Sequence, residues 1–429
     1  MGNKFFGIPL RSGISVGLSA GIGKAGVVGP PPPLVTSFYA PLRSTLTPTT
    51  ALGSPTPTFT RSTTAYAAGY VAGANPGALQ SLLACAINEA RFSGARRVSP
   101  GVWSSSYADA SPIPAANLLG VLMEKAATNF VLQSQDFTTA SWVKVNVPTT
   151  VNEGIFAAPD GTMTATTLTA GGINGTIRQA LTLGVAVGVF SVYLSRKFGG
   201  GNIQITVNGS TFTTIQPGNI GEWTRVSLDF TGTTPTVGIR VVTGNDSVYV
   251  WGAQVENTPG FEPSSYIPTT VASASRGADS LAYAVAGNFS NTAGTVVAEV
   301  LVRDVNPCTP FGNPVGAGKV LDVALDGTVS ANSGSGGTPT DGTIFTNVES
   351  AIASAWNSVN GQAAANAVVG AQVAMGAYVL GTNFTIANSL PSGASFVNVR
   401  ELSIYTTGIF DAALAALVPT PLVIFNPIS

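Results

Sequence analysis

The residues able to do acid–base chemistry in this chain are few, and the commonest one is missing: 429 residues include no histidine. That removes Ser-His-Asp and Cys-His nucleophilic catalysis, imidazole proton transfer and histidine-bound zinc. The two cysteines, Cys85 and Cys308, lie far apart and form neither a disulfide framework nor a metal-ligand spacing. What remains is carboxylate chemistry. The last third of the chain carries Glu299, Asp304, Asp322, Asp326, Asp341, Glu349 and Glu401. A glycosidase needs two carboxyls at a defined separation in a cleft, one with a raised pKa. The spacing supplies no such pair. Val300 and Leu301 follow Glu299, no ExDxxE strand pattern occurs, and Asp322 and Asp326 flank a turn. We therefore expect no enzyme and no catalytic residue. A polysaccharide depolymerase using Glu299, Asp322 or Glu401 is the alternative of another class.

Binding chemistry has more to work with. Sugar C–H faces stack on exposed rings flanked by hydrogen-bonding groups. Trp142, Tyr193, Trp223, Tyr249, Trp251 and Tyr266 supply rings in the central part of the chain. Of these, Tyr193, Trp223, Tyr249 and Trp251 are the expected glycan contacts, although most tryptophans of a two-sheet sandwich pack its core. Trp103 and Tyr107, in "GVWSSSYAD", read as loop residues suited to a subunit interface. Oxygen ligands in "TGNDS" (243–247) and "APDGT" could hold a structural Ca2+, but both are also ordinary turn sequences. No other cofactor or metal is expected.

Charged residues make up 9% of the chain, against about 25% in average globular proteins. With a net charge of −1 and no basic run, nucleic acid is not an expected partner. A surface of Gly, Ser, Thr, Ala and Asn suits subunits that cover much of their exterior with each other. The longest apolar run, residues 181–194, falls short of the ~20 residues a membrane span needs, so no membrane insertion is expected. Arg11 and several glycines interrupt the N-terminus, which argues against a secretory signal. Phe6 stands where N-myristoylation prefers Ser or Thr.

The elements that must position these groups are strands. Residues 1–33 form an expected extended docking arm that ends in a stiff "GPPPP" spacer, with Phe5, Phe6, Ile8 and Leu10 as apolar anchors. Residues 34–117 read as a small mixed connecting region. In it, "PGALQSLLACAINEARF" places Leu79, Leu82, Leu83, Ala86 and Ile87 at helical spacing. Residues 118–279 hold short alternating runs separated by turn signals, among them Pro159-Asp160-Gly161 and the hairpin signal Asn208-Gly209. The run "SVYVWGAQVE" closes this part. Strict alternation would set Trp251 with Tyr249 and Ala253 on one face, with Val248, Val250 and Gly252 opposite. Residues 280–429 repeat the style, with a turn at Asp326-Gly327 and a short final helix that Asp411 should cap. The expected fold is all-β: two tandem antiparallel β-sandwiches of jelly-roll type, 118–279 and 280–429, behind the arm and connecting region.

Several runs also match a known pattern in order. "LMEKAATNFVLQSQDFTTASWVKVNV", "APDGTMTATTL", "FSVYLSR", "WTRVSLDF" and "VYVWGAQVENTPGFEPSSYIPTTVASASRGAD" together resemble a module widespread in tailed-bacteriophage structural proteins, itself similar to carbohydrate-binding jelly rolls. The match covers about residues 118–280. Upstream, "TFTRSTTAYAAGY" and "NEARF" look like the lead-in that often precedes the module. Downstream, "VNVRELSIYTTGIFDAALAAL" is similar to the closing strand and helix of concanavalin-like, laminin-G-like domains. In all, the resemblance touches roughly residues 56–420 and leaves the arm unmatched. It implies a component of the phage particle, commonly a tail fibre, tail tip or other appendage, often trimeric, and no enzyme. The partners it implies are further copies of the chain, other virion proteins reached through the arm, and host cell-surface polysaccharide. A head decoration or head-fibre protein fits the same sequence.

Overall fold

In the computed structural model, the described residues are 36–51, 56–184, 187–257, 262–303, 308–312, 319–324, 326–333, 338–344, 348–378, 381–386 and 397–419. The arm anchors Phe5, Phe6, Ile8 and Leu10 lie outside them. All described residues belong to one compact unit, 35–429. Nearly all of the regular structure is antiparallel strand, as the alternating runs require.

The first sandwich has two five-stranded sheets. One runs Val143–Val145, Gly175–Ala180, Thr236–Val241, Ile203–Thr206, Thr213–Ile215. The other runs Pro148–Asn152, Thr166–Ala170, Ser247–Glu256, Val187–Phe198, Thr224–Thr231. Strand neighbours are mostly distant in sequence, so the register is fixed by side-chain alternation as well as by turns. Ile177, Ile203, Ile205, Val237, Ile239 and Val241 from the first sheet meet Leu168, Phe190, Val192, Leu194, Val248 and Val250 from the second. The turn expectations hold: Gly161, Gly209 and Gly327 all take positive φ. At Asn208 the amide oxygen accepts the backbone N–H of Ser210 and Thr211, closing a longer loop than a two-residue hairpin.

The second sandwich does not respect the expected boundary at 280. Its ten-stranded sheet takes Thr36–Ala40, Thr50–Ala51, Phe92–Ser93 and Gly120–Met123 alongside Gly294–Val302, Glu349–Trp356 and Val397–Tyr405. Its seven-stranded sheet is edged by Thr58–Thr60. Phe38, Leu42, Phe92, Trp103, Val121 and Met123 share one core with Val296, Val300, Leu402 and Ile404. Residues of the expected connecting region therefore help to build this sandwich.

Three local expectations are corrected. The helix expected around residues 76–92 is instead the strand Ser81–Cys85, paired with Ala65–Gly69. Leu79 and Ile87, which a helix would have buried with Leu83, are 64% and 56% exposed, and Asn88 has a positive φ that a helix does not allow. Long-range pairing outweighs local spacing here. Asp411 does precede the helix Ala412–Leu417, but its side chain makes no cap. Its carboxylate accepts from Gln362 and Gln372 instead. The faces of the strand Ser247–Glu256 are also not uniform. Gly252 sits at φ +66 beside a register shift against Val187–Phe198, and this bulge moves Ala253 to the core face with Val248 and Val250. Tyr249 and Trp251 stay on the opposite face.

Gly252 is required twice over. A Cβ there would lie 3.0 Å from the Tyr193 ring and 3.4 Å from the Tyr266 ring, on a backbone that L side chains rarely adopt. Gly252→Ala should cost about 1–3 kcal/mol and lower the thermal midpoint by several degrees. Differential scanning calorimetry checks this; an unchanged midpoint would mean that the bulge is not needed.

Candidate functional site

The scarce charges converge. Arg61 of "TFTRS", Arg91 of "NEARF", Glu124 of "LMEK", and Arg276 and Asp279 of "SRGAD" meet in one fully buried network. Arg61 Nη1 donates to Asp279 Oδ1 at 3.0 Å. Arg91 bridges Glu124 and Asp279 through its two terminal nitrogens. Arg276 Nη2 lies 3.6 Å from Glu124 Oε2. The Asp279 carboxylate also accepts the Glu124 backbone N–H at 2.9 Å. The cations outnumber the anions, and backbone carbonyls take up the surplus donors: Thr63 and Ala86 for Arg61, Tyr66 for Arg91, Lys125 for Arg276. Ser265 joins by donating both N–H and O–H to Glu124. Burial disfavours the charge of Glu124, but Arg276, Arg91 and the Ser265 hydrogen bonds outweigh it and hold the carboxyl down at about 2. Burial pushes the Arg61 guanidinium down, helped by neighbouring Arg91.

A second buried set stitches the exit from the first sandwich. Glu256 accepts the Gln254 amide at 2.8 Å, and both the N–H and O–H of Ser264. Ile267 N–H donates to Gln254 at 2.7 Å, and the Asn129 amide donates to the carbonyls of Ala253 and Ile267. The Ser134 and Tyr266 hydroxyls lie 2.6 Å apart. The segments "ATN", "WGAQVE" and "SSYIPTT" are thus joined into one closure. Glu256 is a structural acid inside it.

The expected glycan contacts lie together, but under cover. Trp251 is inaccessible, and Tyr193 and Tyr249 are buried. Their sheet face is capped by residues 153–164 and by the segment holding Tyr66 and Leu82. Phe156 stacks on Tyr249 at 3.9 Å and 7°. Trp251 Nε1 donates to Thr164 Oγ1 at 2.9 Å, and its ring packs on Tyr266 and Tyr193. Lys197 approaches the Tyr249 ring and pairs with Glu153. No open ring face remains at Tyr193, Tyr249 or Trp251 in this arrangement, because protein already fills the stacking positions. Trp223 is half-buried, with its Nε1 donating to the Ala157 carbonyl at 3.0 Å. Trp142 packs on Phe137 in the sandwich core. Trp103 and Tyr107 are also core residues and do not line an outer surface.

Two of the depolymerase candidates do come together. Glu299 and Glu401 are direct cross-strand partners, and Arg43 Nη2 lies 3.0 Å from one and 2.8 Å from the other. Burial and the adjacent Glu401 raise the Glu299 carboxyl above its ordinary value. Asp322 lies in the other sheet of that sandwich. The two oxygen-rich turns behave as turns. Asp160 accepts from Thr162, and Asp246 accepts the Gly201 N–H at 2.7 Å. Among the described residues no group of three acidic or thiol side chains is placed to hold a metal.

Sequence reasoning missed the buried network because its members are separated by as many as 218 positions. One signal was present: in a chain this poor in charge, five charged residues fall inside ordered motifs. It also missed Arg178 and Arg240 on the outer face of the other sheet, which no motif marked.

No family model matches the chain, and no curated protein matches it. Solved structures with some likeness include domain 4 of the GH43 extracellular arabinanase AbnA from Geobacillus stearothermophilus, in complex with arabinotriose. It is 15% identical, with a TM-score of 0.28, over 36% of this chain and 80% of that one. The tandem CBM22 domains of Paenibacillus barcinonensis Xyn10C match at 7% identity and a TM-score of 0.25, over 66% of this chain and 99% of that one. Trypanosoma rangeli sialidase matches at 15% identity and a TM-score of 0.27, over 32% of this chain; the chain spans only 25% of that structure. At these identities and TM-scores the likenesses carry no functional argument.

The buried network predicts acid sensitivity. The Glu124 carboxyl is depressed in the fold, so its contribution is complete above its ordinary value of 4.5 and is lost as pH falls from there toward about 2. Thermal midpoints should drop across that window. Glu124→Gln, which leaves buried guanidinium charge uncompensated, should cost about 3–5 kcal/mol at neutral pH and flatten the acid limb. Circular dichroism melts from pH 2 to 7 on both proteins check this. An acid limb unchanged in the variant would assign the sensitivity to other groups.

Proposed function

We propose that the protein is a non-enzymatic structural component of a tailed-phage particle, of the tail-fibre or receptor-binding appendage type. The arm attaches it to other virion proteins through Phe5, Phe6, Ile8 and Leu10. The sandwiches form contacts between copies, in a trimer, and contacts with host-surface glycan. One observation carries the reading. Six of the charged residues in the phage-module motifs and their lead-in, Arg61, Arg91, Glu124, Glu256, Arg276 and Asp279, are buried in scaffold contacts. A catalytic signature would present its polar groups to a cleft; this one turns them inward to join segments. The low charge of the chain fits long-lived packing in an assembly. A head-decoration placement uses the same arm and the same scaffold.

The pairing of Glu299 with Glu401 favours a second reading, a glycoside hydrolase. Opposed carboxylates, one with a raised pKa, are the starting requirement for that chemistry. Against it, Arg43 occupies the space between them.

Mass spectrometry and antibody labelling of purified particles test the first reading. The protein should label an external appendage, and deletion of residues 1–33 should abolish incorporation without lowering the melting temperature of the remainder. A monomer with no affinity for virion parts and no place in the particle would sink it. For the hydrolase, reducing-end release from host polysaccharide should be undetectable for the intact chain. Turnover that disappears in Glu299→Gln and Glu401→Gln would replace the first reading with the second.

A further inference from the structure

The outer faces of the two sheets of the first sandwich differ. One is capped, as described above. The other, on Gly175–Ala180, Thr236–Val241 and Ile203–Thr206, carries two half-exposed arginines. Thr176 pairs with Arg240 and Arg178 pairs with Gly238, so the two arginines are diagonal neighbours on adjacent strands. That diagonal is about 7–8 Å, within reach of long side chains. Gly238, directly opposite Arg178, is buried, and a Cβ there would meet the Ile177 carbonyl oxygen at 2.5 Å and Arg178 Cβ at 2.9 Å. Arg240 is held in place: its guanidinium carbon stacks 3.5 Å from the Phe212 ring centroid, and Nε and Nη2 donate to Gln204 Oε1. Gln204 in turn donates to Thr214 Oγ1 at 3.0 Å. Arg178 uses Nη1 in a long contact, 3.4 Å, to the Gly209 carbonyl.

Neither arginine has a carboxylate partner among the described residues. Arg43, Arg61, Arg91, Arg97, Arg276, Arg303 and Arg400 do have one, whereas Arg96, Arg196 and Arg225 donate to carbonyl or hydroxyl oxygens instead. A preoriented guanidinium fork matches a carboxylate in bidentate geometry. The surrounding groups include amides and hydroxyls at Gln204, Thr214, Asn208 and Ser210, with the exposed Val143 directly opposite Arg178. A bare anion needs only the arginines. A ligand with both a carboxylate and many hydroxyls uses the whole surface. We propose that this face, centred on Arg178 and Arg240, binds carboxylated oligosaccharide, with the arginines taking the acid group. The proposal rests on the glycan-contact part of the function proposed above and moves it from the capped aromatic face to the open polar one. Nucleic-acid phosphate is disfavoured, because the net charge is −1 and no basic run extends the patch.

The full chain can be titrated calorimetrically with galacturonate, glucuronate and sialate oligosaccharides, with neutral malto- and xylo-oligosaccharides of equal length, and with a deoxythymidine oligonucleotide. At least one acidic glycan should bind, and weaken as salt is raised. Arg178→Ala and Arg240→Ala should each reduce affinity about tenfold or more, given the strength of charged hydrogen bonds. Arg240→Lys should recover only part, since it keeps charge and loses the fork. Unchanged melting curves for the arginine variants separate lost contacts from misfolding. Glycan binding that ignores both arginines and the acid group would overturn this site and leave the glycan reading standing. Absence of binding to every glycan would overturn both. Oligonucleotide binding as tight as that of the acidic glycans would overturn the saccharide assignment.

Discussion

Three guanidinium groups and two carboxylates without access to water hold the rest of this structure in place. Burying such a set is costly unless every member is paired and its remaining hydrogen-bonding positions are filled. Here backbone carbonyls of the segments being joined fill several of them, while Arg91 Nε and Arg276 Nε have no partner, so the charges fix the chain path as well as each other. Arg61 and Arg91 belong to the segment before the first sandwich, Glu124 directly follows the strand Gly120–Met123 that leads into it, Arg276 ends the strand Ala274–Arg276 that leaves it, and Asp279 lies just beyond. The first sandwich is in effect an insertion whose two ends are clamped at one point. The same clamp explains why residues 36–123 and 280–405 can complete one sandwich across a large excursion of chain.

That constraint also decides what was legible in the sequence. Strands such as Val187–Phe198 and Ser247–Glu256 were readable, because a half-buried strand must alternate and its turns need Gly, Asn or Asp at fixed positions. Membership of a sandwich was not readable. Nothing local to Thr36–Ala40 says that it will pair with Val397–Tyr405. The helix expected near Leu79 fails for the same reason: the backbone of Ser81–Cys85 pairs with Ala65–Gly69, and Leu79 and Ile87 are left exposed. Gly252 shows a finer limit. Its glycine was visible, but the bulge it allows reverses the alternation after it, so Ala253 changed faces while Trp251 did not. The order of the phage-like motifs could be read, whereas the contact among their charged residues required the fold.

The aromatic residues follow from the same arrangement. A jelly roll exposes two outer faces, and only one of them can meet the clamped segments. Here it is the face with Tyr193, Tyr249 and Trp251, covered by Tyr66, Leu82 and residues 153–164. Large rings there are explained by packing against another part of the same chain, where their area contributes most. Aromatic content alone therefore pointed to a face that the chain itself covers. The other sheet keeps its outer face free of such cover at Arg178 and Arg240, where polar residues and the exposed Val143 meet solvent.

The pair of Glu299 and Glu401 can be understood without catalysis. Like charges placed directly opposite on neighbouring strands destabilise a sheet. Arg43, just after the strand Thr36–Ala40, reaches across both and turns the repulsion into a bridge. Tyr39 lies beside Glu401, where burial and that carboxylate push its hydroxyl up. The pair thus gives the strand Thr36–Ala40 a specific address beside Val397–Tyr405 and Gly294–Val302. Arg400, in the irregular pairing next to Glu401, is held by Glu349 and by the Ala115 carbonyl at 2.7 Å. A hydrolase would need the space between the carboxylates for substrate, and a guanidinium fills it. Register is what these charges secure, which is the same use the chain makes of its buried ones.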